Sequence, residues 1–221
     1  MGSNPVKDAY RALRCSLRDK LINKKRWGAW TEQEKNNFAI FASDCTGGML
    51  CHDMHKQFNS PTVNMFFSAP DYIKFLKNPA AYMDLPMQEV QQQEYSYPLA
   101  KLGDLTLHLV HYDSVAQAQE KWNVRKERLK NIRGGGVYCI MNDRNGCTEQ
   151  DLLEFDALPY EHKVVFTHVP HPEIQSAFYI RGFEKQDYVG TMTKFVSPVS
   201  IRRTMDQFDF TKWIDRGTNL K

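Results

Sequence analysis

A buried-type strand that ends in a turn of small residues constrains this chain more than any other feature of its sequence. Phe38–Ser43 is almost continuously apolar, which is typical of a strand buried on both faces of a parallel sheet. Small and polar residues follow at once, and helix-compatible sequence continues from Met49 to Phe58. In alternating α/β folds, ligands bind beyond the carboxyl ends of the strands. The turn therefore predicts where a site lies, although it does not identify a reaction.

Strand-like and helix-like runs alternate along the rest of the chain. Further strands are predicted at Thr62–Phe67, Tyr97–Leu102, Leu105–Val110, Val137–Met141, Lys163–Thr167 and Ala177–Ile180. Helices are predicted after the caps Ser68, Ser114 and Thr148 and at Phe208–Ile214, with Arg133–Gly136 ending the second of them. The polar stretch Met87–Tyr95 is predicted to be a loop or an exposed helix. Because Gly103-Asp104 indicates a β-hairpin, we expect an α/β layered sandwich whose largely parallel, mixed sheet is flanked by helices.

Length and composition favour one domain and a reducing compartment. The 221 residues contain no linker-like stretch, so residues 1–221 are predicted to form a single α/β domain. No apolar run approaches the roughly 18 residues of a membrane-spanning helix, and the first residues lack the apolar core of a signal peptide. Five cysteines at irregular spacing fit a reducing environment better than a disulfide framework. We therefore expect a cytoplasmic protein.

The net charge of +3 hides an uneven distribution along the chain. Residues 1–30 carry eight Lys and Arg against Asp8 and Asp19, a net +6 that leaves −3 for the remainder. Apolar residues recur there every three or four positions, at Val6, Tyr10, Leu13, Leu17 and Leu21. This pattern predicts a basic amphipathic helix, either docked on the body with its cationic face in solvent or in peripheral contact with the anionic inner membrane surface. Nucleic acid is not expected as a partner, because no base-reading module accompanies the charge.

Three polar clusters are expected to meet at one sheet edge if the strands run parallel. The first cluster is Ser43, Asp44, Cys45 and Thr46, the second is His111, Tyr112 and Asp113, and the third is Asn142, Asp143 and Arg144. Ser68 and Asp71 are predicted to form a wall of the same site. The hairpin makes the second cluster the least certain member, because its strand can run in either direction.

The first cluster suits an anion or a catalytic group. Gly47 and Gly48 precede a helix, so their N–H groups are candidate ligands of a phosphate, with Ser43 and Thr46 beside them. Asp44 is a candidate base, and Cys45 is a candidate nucleophile with His111 as its base or as a general acid. The structural alternative is a tight turn in which Asp44 or Thr46 caps the helix.

The third cluster offers a carboxylate and a guanidinium. Asp143 is predicted to act as a base or to hold a divalent cation, and Arg144 to clamp a phosphate. Ser68 and Tyr112 are assigned to ligand binding at the same edge. The structural alternative is an Asx-type turn in which Asn145-Gly146 supplies left-handed geometry. No standard zinc spacing is present, so the metal remains open.

Spaced motifs give the chain a family resemblance. They are Ser43–Gly48, Asn59–Thr62, Asp71–Leu76, His111-Tyr112, Lys121–Asn123, Asp143–Thr148 and Phe155-Asp156. Over most of residues 35–215 the chain resembles an uncharacterised bacterial family, a domain of unknown function found among capsular and exopolysaccharide biosynthesis genes. The resemblance implies an α/β fold and a surface-polysaccharide context. It does not identify any catalytic residue in this chain. Where the family pattern has Asp-Arg-Asp-Gly, Asn145 replaces the second Asp, which weakens the case for a metal at that loop.

Three functions follow as hypotheses. The first is a transferase of surface-glycan assembly that uses a nucleotide-sugar or another phosphorylated glycan donor. The second is a hydrolase of glycan bonds with Cys45 or Asp44 and His111 as its reacting groups. The third is a non-catalytic partner that docks polysaccharide enzymes at the membrane through residues 1–30.

Overall fold

Two sheets of different topology form the framework of the molecule. The structure, a computed structural model, describes residues 5–132 and 136–214. Positions 1–4 of the predicted N-terminal helix, 133–135 of the predicted glycine stop and 215–221 of the predicted domain lie outside this part. The strands are β1 (Ala39–Ala42), β2 (Met87–Val90), β3 (Leu99–Leu102), β4 (Leu105–His108), β5 (Val137–Asn142), β6 (His162–Thr167) and β7 (Ala177–Tyr179).

The four-stranded sheet is parallel throughout and has the order β1-β5-β6-β7. The predicted hairpin β3–β4 forms as expected, but it pairs with β2 in a separate antiparallel sheet. Parallel and antiparallel strands are thus divided between two sheets and do not mix in one. The α/β fold class is confirmed.

Helices cover the sheets and connect the strands. They are α1 (Pro5–Arg18), α2 (Lys24–Trp27), α3 (Glu32–Asn36), α4 (Thr46–Asp53), α5 (Ala69–Lys77), α6 (Ala80–Met83), α7 (Val115–Leu129), α8 (Glu149–Asp156) and α9 (Phe210–Trp213). The hydroxyls of Ser68, Ser114 and Thr148 cap α5, α7 and α8 by accepting a backbone N–H of the first turn, as their spacing predicts. None of the helices in the described ranges is long and apolar enough to cross a bilayer.

Two local predictions are wrong for identifiable reasons. The run 62–67 is not a strand: the Thr62 hydroxyl accepts the Ala42 N–H, and Asn64 adopts a left-handed φ of 69° that breaks the extended backbone. Only Phe66 pairs, as a single antiparallel bridge to His108. Conversely, Met87–Val90 is a strand at the edge of the antiparallel sheet, with Gln88 and Glu89 exposed.

Alternating side chains of the parallel sheet supply two hydrophobic clusters. On β1, Ala39 and Phe41 pack with the antiparallel sheet and α5, α7 and α8. Ile40 and Ala42 of the same strand pack with Trp27, α4 and the C-terminal segment. The parallel sheet therefore lies between two apolar layers, which is the predicted layered arrangement. That residues 1–221 form a single domain stays a prediction.

The N-terminal helical segment (residues 5–27) joins α1 and α2 through a π-helical turn at Asp19–Asn23. The buried residues of this segment are Arg18, Asn23 and Trp27, whereas its apolar stripe faces solvent. The helix is docked on the body with basic residues in solvent, as one of the two predictions has it, but its apolar face is exposed as well. Arg18 replaces the apolar face as the anchor, because it donates to the buried carboxylates of Asp53 and Asp206.

Candidate functional site

The carboxyl ends of β1 and β5 lie side by side and bring two of the predicted clusters together. The two strands are parallel neighbours with Ala42 opposite Ile140, so Asp44 and the 142–144 turn follow at the same edge. There the Asn142 side-chain amide donates to Asp44 Oδ2 at 2.8 Å. The parallel direction thus joins stretches of chain that are distant in sequence, as the sheet-edge argument expects.

One cavity of about 260 Å³ opens at this edge, and we call it the site cavity. Its lining residues are Asp44, Cys45, Phe66, His111, Arg144, Asn145, Thr191 and Thr193. The cavity collects members of all three predicted clusters, including His111 from the segment that follows β4. It therefore offers a carboxylate, an imidazole and a guanidinium to one small molecule.

Asp44 is held in place by the start of α4 and by β5. Its Oδ1 accepts the backbone N–H of Thr46 at 2.9 Å, and its Oδ2 accepts the Asn142 amide. Each carboxylate oxygen has a second lone pair, so both can still accept a hydrogen bond from a ligand. The structure thus combines the predicted turn and cap role of Asp44 with a place in the cavity wall.

The Cys45 thiol lies in the cavity wall but is not activated. Burial raises the pKa of Cys45 to about 12, and the negative charge of Asp44 adds to that rise. A nucleophilic cysteine needs the opposite environment, one that favours the thiolate. The surroundings of Cys45 thus disfavour the thiol version of the hydrolase hypothesis.

Arg144 is the cation of the site cavity. Its Nη1 reaches the Thr191 hydroxyl at 3.5 Å and its guanidinium lies 5.5 Å from the centre of the Tyr188 ring. Its Nε is buried and donates to no group in the described residues. The next residue, Asn145, has the left-handed φ that the turn alternative requires, and its carbonyl accepts the Ala69 N–H at the start of α5. Arg144 is therefore held by a fixed turn and keeps donor capacity for an anion.

Asp143 does not line the site cavity. Its Oδ2 accepts the backbone N–H of His168 at 2.7 Å and contacts Nδ1 of the same histidine at 2.6 Å. Its Oδ1 accepts the Val189 N–H at 2.6 Å. Both oxygens thus tie β5 to the loops after β6 and before Thr191, so the contacts of Asp143 are those of a positioning residue.

The two glycines have a packing reason in the structure. A Cβ on Gly47 would lie 2.7 Å from the Ala42 Cβ, and a Cβ on Gly48 would lie 3.1 Å from a Val63 methyl. Both residues are buried and neither lines the cavity. They allow α4 to approach β1 closely, and this approach places the start of α4 at the cavity.

The other predicted ligand-binding residues lie behind the cavity wall. Ser43 and Thr46 are buried, and the Thr46 hydroxyl has no partner among the described residues. Ser68 caps α5. The buried Tyr112 hydroxyl donates to the Val63 carbonyl and accepts from Arg125, and burial raises the pKa of Tyr112. These four side chains support the wall, and none lines the cavity.

Sequence reasoning missed the aromatic side of the cavity and its threonines. The Phe66 ring stacks on the His108 imidazole with centroids 4.0 Å apart, and Tyr97 lies beside both rings. Burial lowers the pKa of His108, which keeps this imidazole neutral and able to stack. Thr191 and Thr193 come from a segment without regular structure, so no periodic pattern marks them.

The donor set does not fit a cation held by protein side chains alone. In residues 5–132 and 136–214, no three His, Cys, Asp or Glu side chains gather as metal ligands. Asp44 is the one carboxylate lining the site cavity. The divalent cation proposed from the sequence therefore has no ligand cluster in this part of the chain.

Two comparisons relate the chain to other proteins. The model of a family described as a domain of unknown function (DUF1919) matches residues 17–215. An uncharacterised protein of Haemophilus influenzae (strain ATCC 51907 / DSM 11121 / KW20 / Rd) is 42% identical over 178 residues. That alignment covers 80% of this chain and 84% of the relative.

Proposed function

Since the chain belongs to the DUF1919 family, a domain of unknown function, we propose a function from its own cavity: it transfers a sugar from a phosphate-bearing donor in surface-glycan assembly. We expect the donor to be a nucleotide-sugar. The observation that carries this proposal is that Arg144, Asp44 and His111 line one cavity. The glycan context comes from the resemblance to a family found among capsular and exopolysaccharide genes.

Arg144 supplies the phosphate-binding group. A planar guanidinium forms two parallel hydrogen bonds to phosphate oxygens, and these charge-assisted bonds are stronger than neutral ones. The unsatisfied Nε of Arg144 and the neighbouring Thr191 hydroxyl are donors that a diphosphate would use. In this proposal Arg144 keeps its predicted role as the phosphate clamp, whereas Gly47 and Gly48, which do not line the cavity, have no part in binding the phosphate.

Asp44 and His111 supply the proton chemistry. An acceptor hydroxyl gives its proton to Asp44 while its oxygen forms a bond to the anomeric carbon of the donor. The bond from that carbon to the phosphate oxygen breaks, and the diphosphate leaves with the electron pair as an anion held by Arg144. His111 is the proton donor available to that leaving oxygen. The two hydrogen bonds from Thr46 and Asn142 keep the Asp44 carboxylate oriented for this step.

The aromatic residues at the cavity suit a nucleobase or a sugar face. Phe66 lines the cavity, and Tyr97 and Tyr95 continue from it as ring contacts at 6.3 Å and 5.1 Å. All three rings are half-buried, so each keeps part of its surface in solvent. Aromatic rings bind bases by stacking with little sequence preference, which fits the base of a nucleotide-sugar.

The test is binding of uridine and guanosine diphosphate sugars to the full chain, measured by calorimetry. We expect binding by the wild type and a loss of about tenfold or more in Arg144→Ala, since a charge-assisted pair contributes about 1.5–3 kcal/mol. Arg181→Ala is the matched control, because Arg181 is exposed and does not line the cavity. A folded wild type that binds no nucleotide, sugar or phosphate overturns the proposal.

A further inference from the structure

The N-terminal helical segment exposes a continuous apolar stripe. Tyr10, Leu13, Leu17 and Leu21 follow one another at spacings of three and four, so they share one helix face with Val6. Leu13 is 56% exposed and Leu21 is 61% exposed. Of the ten exposed large hydrophobic side chains in the described ranges, five lie on this stripe. Scattered exposed leucines are ordinary, but such a cluster marks an interaction surface.

Polar anchors on another face of the helix fix the direction of the stripe. The Arg14 guanidinium donates to the carbonyls of Ser197 and Ser200 and lies 3.9 Å from the Phe195 ring centre. One turn further, Arg18 binds the carboxylates of Asp53 and Asp206 at 2.7 Å and 2.6 Å. Turning the stripe inward would strip two buried carboxylates of their partner, which is strongly unfavourable. The stripe therefore stays outside in the free protein.

A neighbouring loop enlarges the apolar surface. The Tyr10 hydroxyl donates to the Pro198 carbonyl at 2.9 Å, so residues 195–200 lie directly beside the helix. In that loop, Val196 is 56% exposed and Val199 is 84% exposed. Because Arg14 and Tyr10 hold the loop by three of its carbonyls, these two valines belong to the same surface as the stripe. We call the stripe and the loop together the docking face.

The charges around the docking face are nearly all positive. Residues 5–27 contain eight Lys and Arg and only two acidic residues, Asp8 and Asp19. Of the two, Asp19 is already paired with His55 at 2.8 Å. Arg11, Lys20, Lys24 and Lys25 are exposed, and none of them forms an ion pair within the described residues. These cations are complementary to an anionic surface, whereas a second copy of the chain would bring like charges together.

We propose that the docking face binds the surface of an anionic phospholipid bilayer. The leucines, Tyr10 and the two loop valines enter the boundary between headgroups and acyl chains, and the basic residues contact anionic headgroups. The helix lies in the plane of the interface. The inference rests on the helix and its loop alone, so it stands or falls independently of what the site cavity binds.

The experiment is flotation of the full chain with vesicles of phosphatidylcholine, alone or mixed with phosphatidylglycerol. We expect binding to the mixed vesicles that weakens with added salt, and little binding to phosphatidylcholine alone. The double variant Leu13→Ser with Leu17→Ser should lose about tenfold or more in affinity. Leu153→Ser is the matched control, since Leu153 is an exposed leucine of α8 far from residues 5–27 in sequence.

Three outcomes overturn the inference. The first is a wild type that does not float with the anionic vesicles. The second is a double variant that binds vesicles as well as Leu153→Ser does, with circular dichroism showing that all three chains are folded. The third is a wild type that self-associates in sedimentation velocity while the double variant is monomeric, because the occupant of the face is then a second copy.

Discussion

The side-chain amide of Asn142 donates a 2.8 Å hydrogen bond to Asp44 and so joins the ends of β1 and β5. Asn142 is 2% exposed, and its Oδ1 faces the Arg144 N–H at 3.4 Å. One buried amide thus touches the segments that carry both the carboxylate and the guanidinium of the site cavity. The relative position of these two charged groups depends on it.

Replacing Asn142 by alanine should weaken both the fold and the site. The substitution leaves Asp44 Oδ2 without its donor, and a hydrogen bond to a charged group contributes about 1.5–3 kcal/mol. We expect the free energy of unfolding in urea to fall by an amount in that range. The affinity for a diphosphate sugar should fall with it, because the Arg144 N–H then loses the Asn142 Oδ1 that it faces at 3.4 Å.

Asn123→Ala is the control for this change. Asn123 is an exposed residue of α7, and its side-chain oxygen accepts a hydrogen bond from Gln119. Its replacement should leave both stability and affinity near those of the wild type. Equal stability of the two variants would show that the bond between Asn142 and Asp44 does not support the site.

The local sequence predicts much of the framework and part of the cavity. β1, β5 and β6 follow from apolar runs, and three helix starts follow from the hydroxyl caps, because these signals act within a few residues. Asp44 and Arg144 meet because β1 and β5 are parallel and end at one edge, whereas His111 reaches the cavity from the segment after β4 of the antiparallel sheet. Asp143 also follows the end of β5, but its carboxylate oxygens accept the N–H groups of His168 and Val189, which are remote in sequence. Thr191 and Thr193 carry no local signal at all.

The N-terminal segment shows why amphipathic periodicity can mislead. The spacing of Leu13, Leu17 and Leu21 predicts a helix correctly, but periodicity does not say which face meets the body. That choice depends on Asp53 and Asp206, whose carboxylates bind Arg18 from distant parts of the chain. An ion pair across this separation leaves no periodic trace in the sequence.

Gly47→Ala should destabilise the junction of α4 and β1. The new methyl would lie 2.7 Å from the Ala42 Cβ and 3.2 Å from an Ile40 methyl, both in the buried strand. Overpacking of this kind costs about 1–3 kcal/mol, so we expect a loss of that size in urea unfolding.

Gly48→Ala is the matched control in the same helix. Its methyl would meet a Val63 methyl at 3.1 Å and Asn64 Oδ1 at 3.6 Å, and alanine gains up to about 1 kcal/mol of helix propensity over glycine. Gly47→Ala should therefore be the less stable variant of the pair. The opposite order would mean that α4 does not pack on β1 as closely as the structure shows.

The Cys45 thiol should be inert at neutral pH. Because burial raises its pKa to about 12, the thiolate is nearly absent at about pH 8, where alkylating agents react with ordinary thiols. We expect slow alkylation of Cys45 by iodoacetamide in peptide mapping of the folded chain, and fast alkylation after unfolding in urea. Cys45→Ser should keep its affinity for the diphosphate sugar. Rapid labelling of Cys45 in the folded chain, accompanied by loss of turnover, would support the hypothesis of a hydrolase whose nucleophile is the Cys45 thiol.

Asp206 should make the stability of the protein depend on acid pH. Burial alone would raise the pKa of Asp206, but hydrogen bonds from Arg18, the Arg203 N–H and Arg26 outweigh it, and the pKa falls below 3.8. A carboxylate whose pKa is lower in the folded chain stabilises that chain above the unfolded pKa. This contribution disappears as the pH falls through the folded pKa.

Asp206→Asn removes this titration and keeps the size of the side chain. At neutral pH the variant should lose about 3 kcal/mol, because Arg18 and Arg26 keep their charges without this partner. As the pH falls below about 4 the unfolded chain protonates this carboxylate first, and the folded wild type does so only at its lowered pKa, so the difference between the two chains should shrink as the pH falls between these two pKa values. Urea unfolding across this range measures it. A difference that stays constant with pH would show that Asp206 is not the titrating anchor of the N-terminal helical segment.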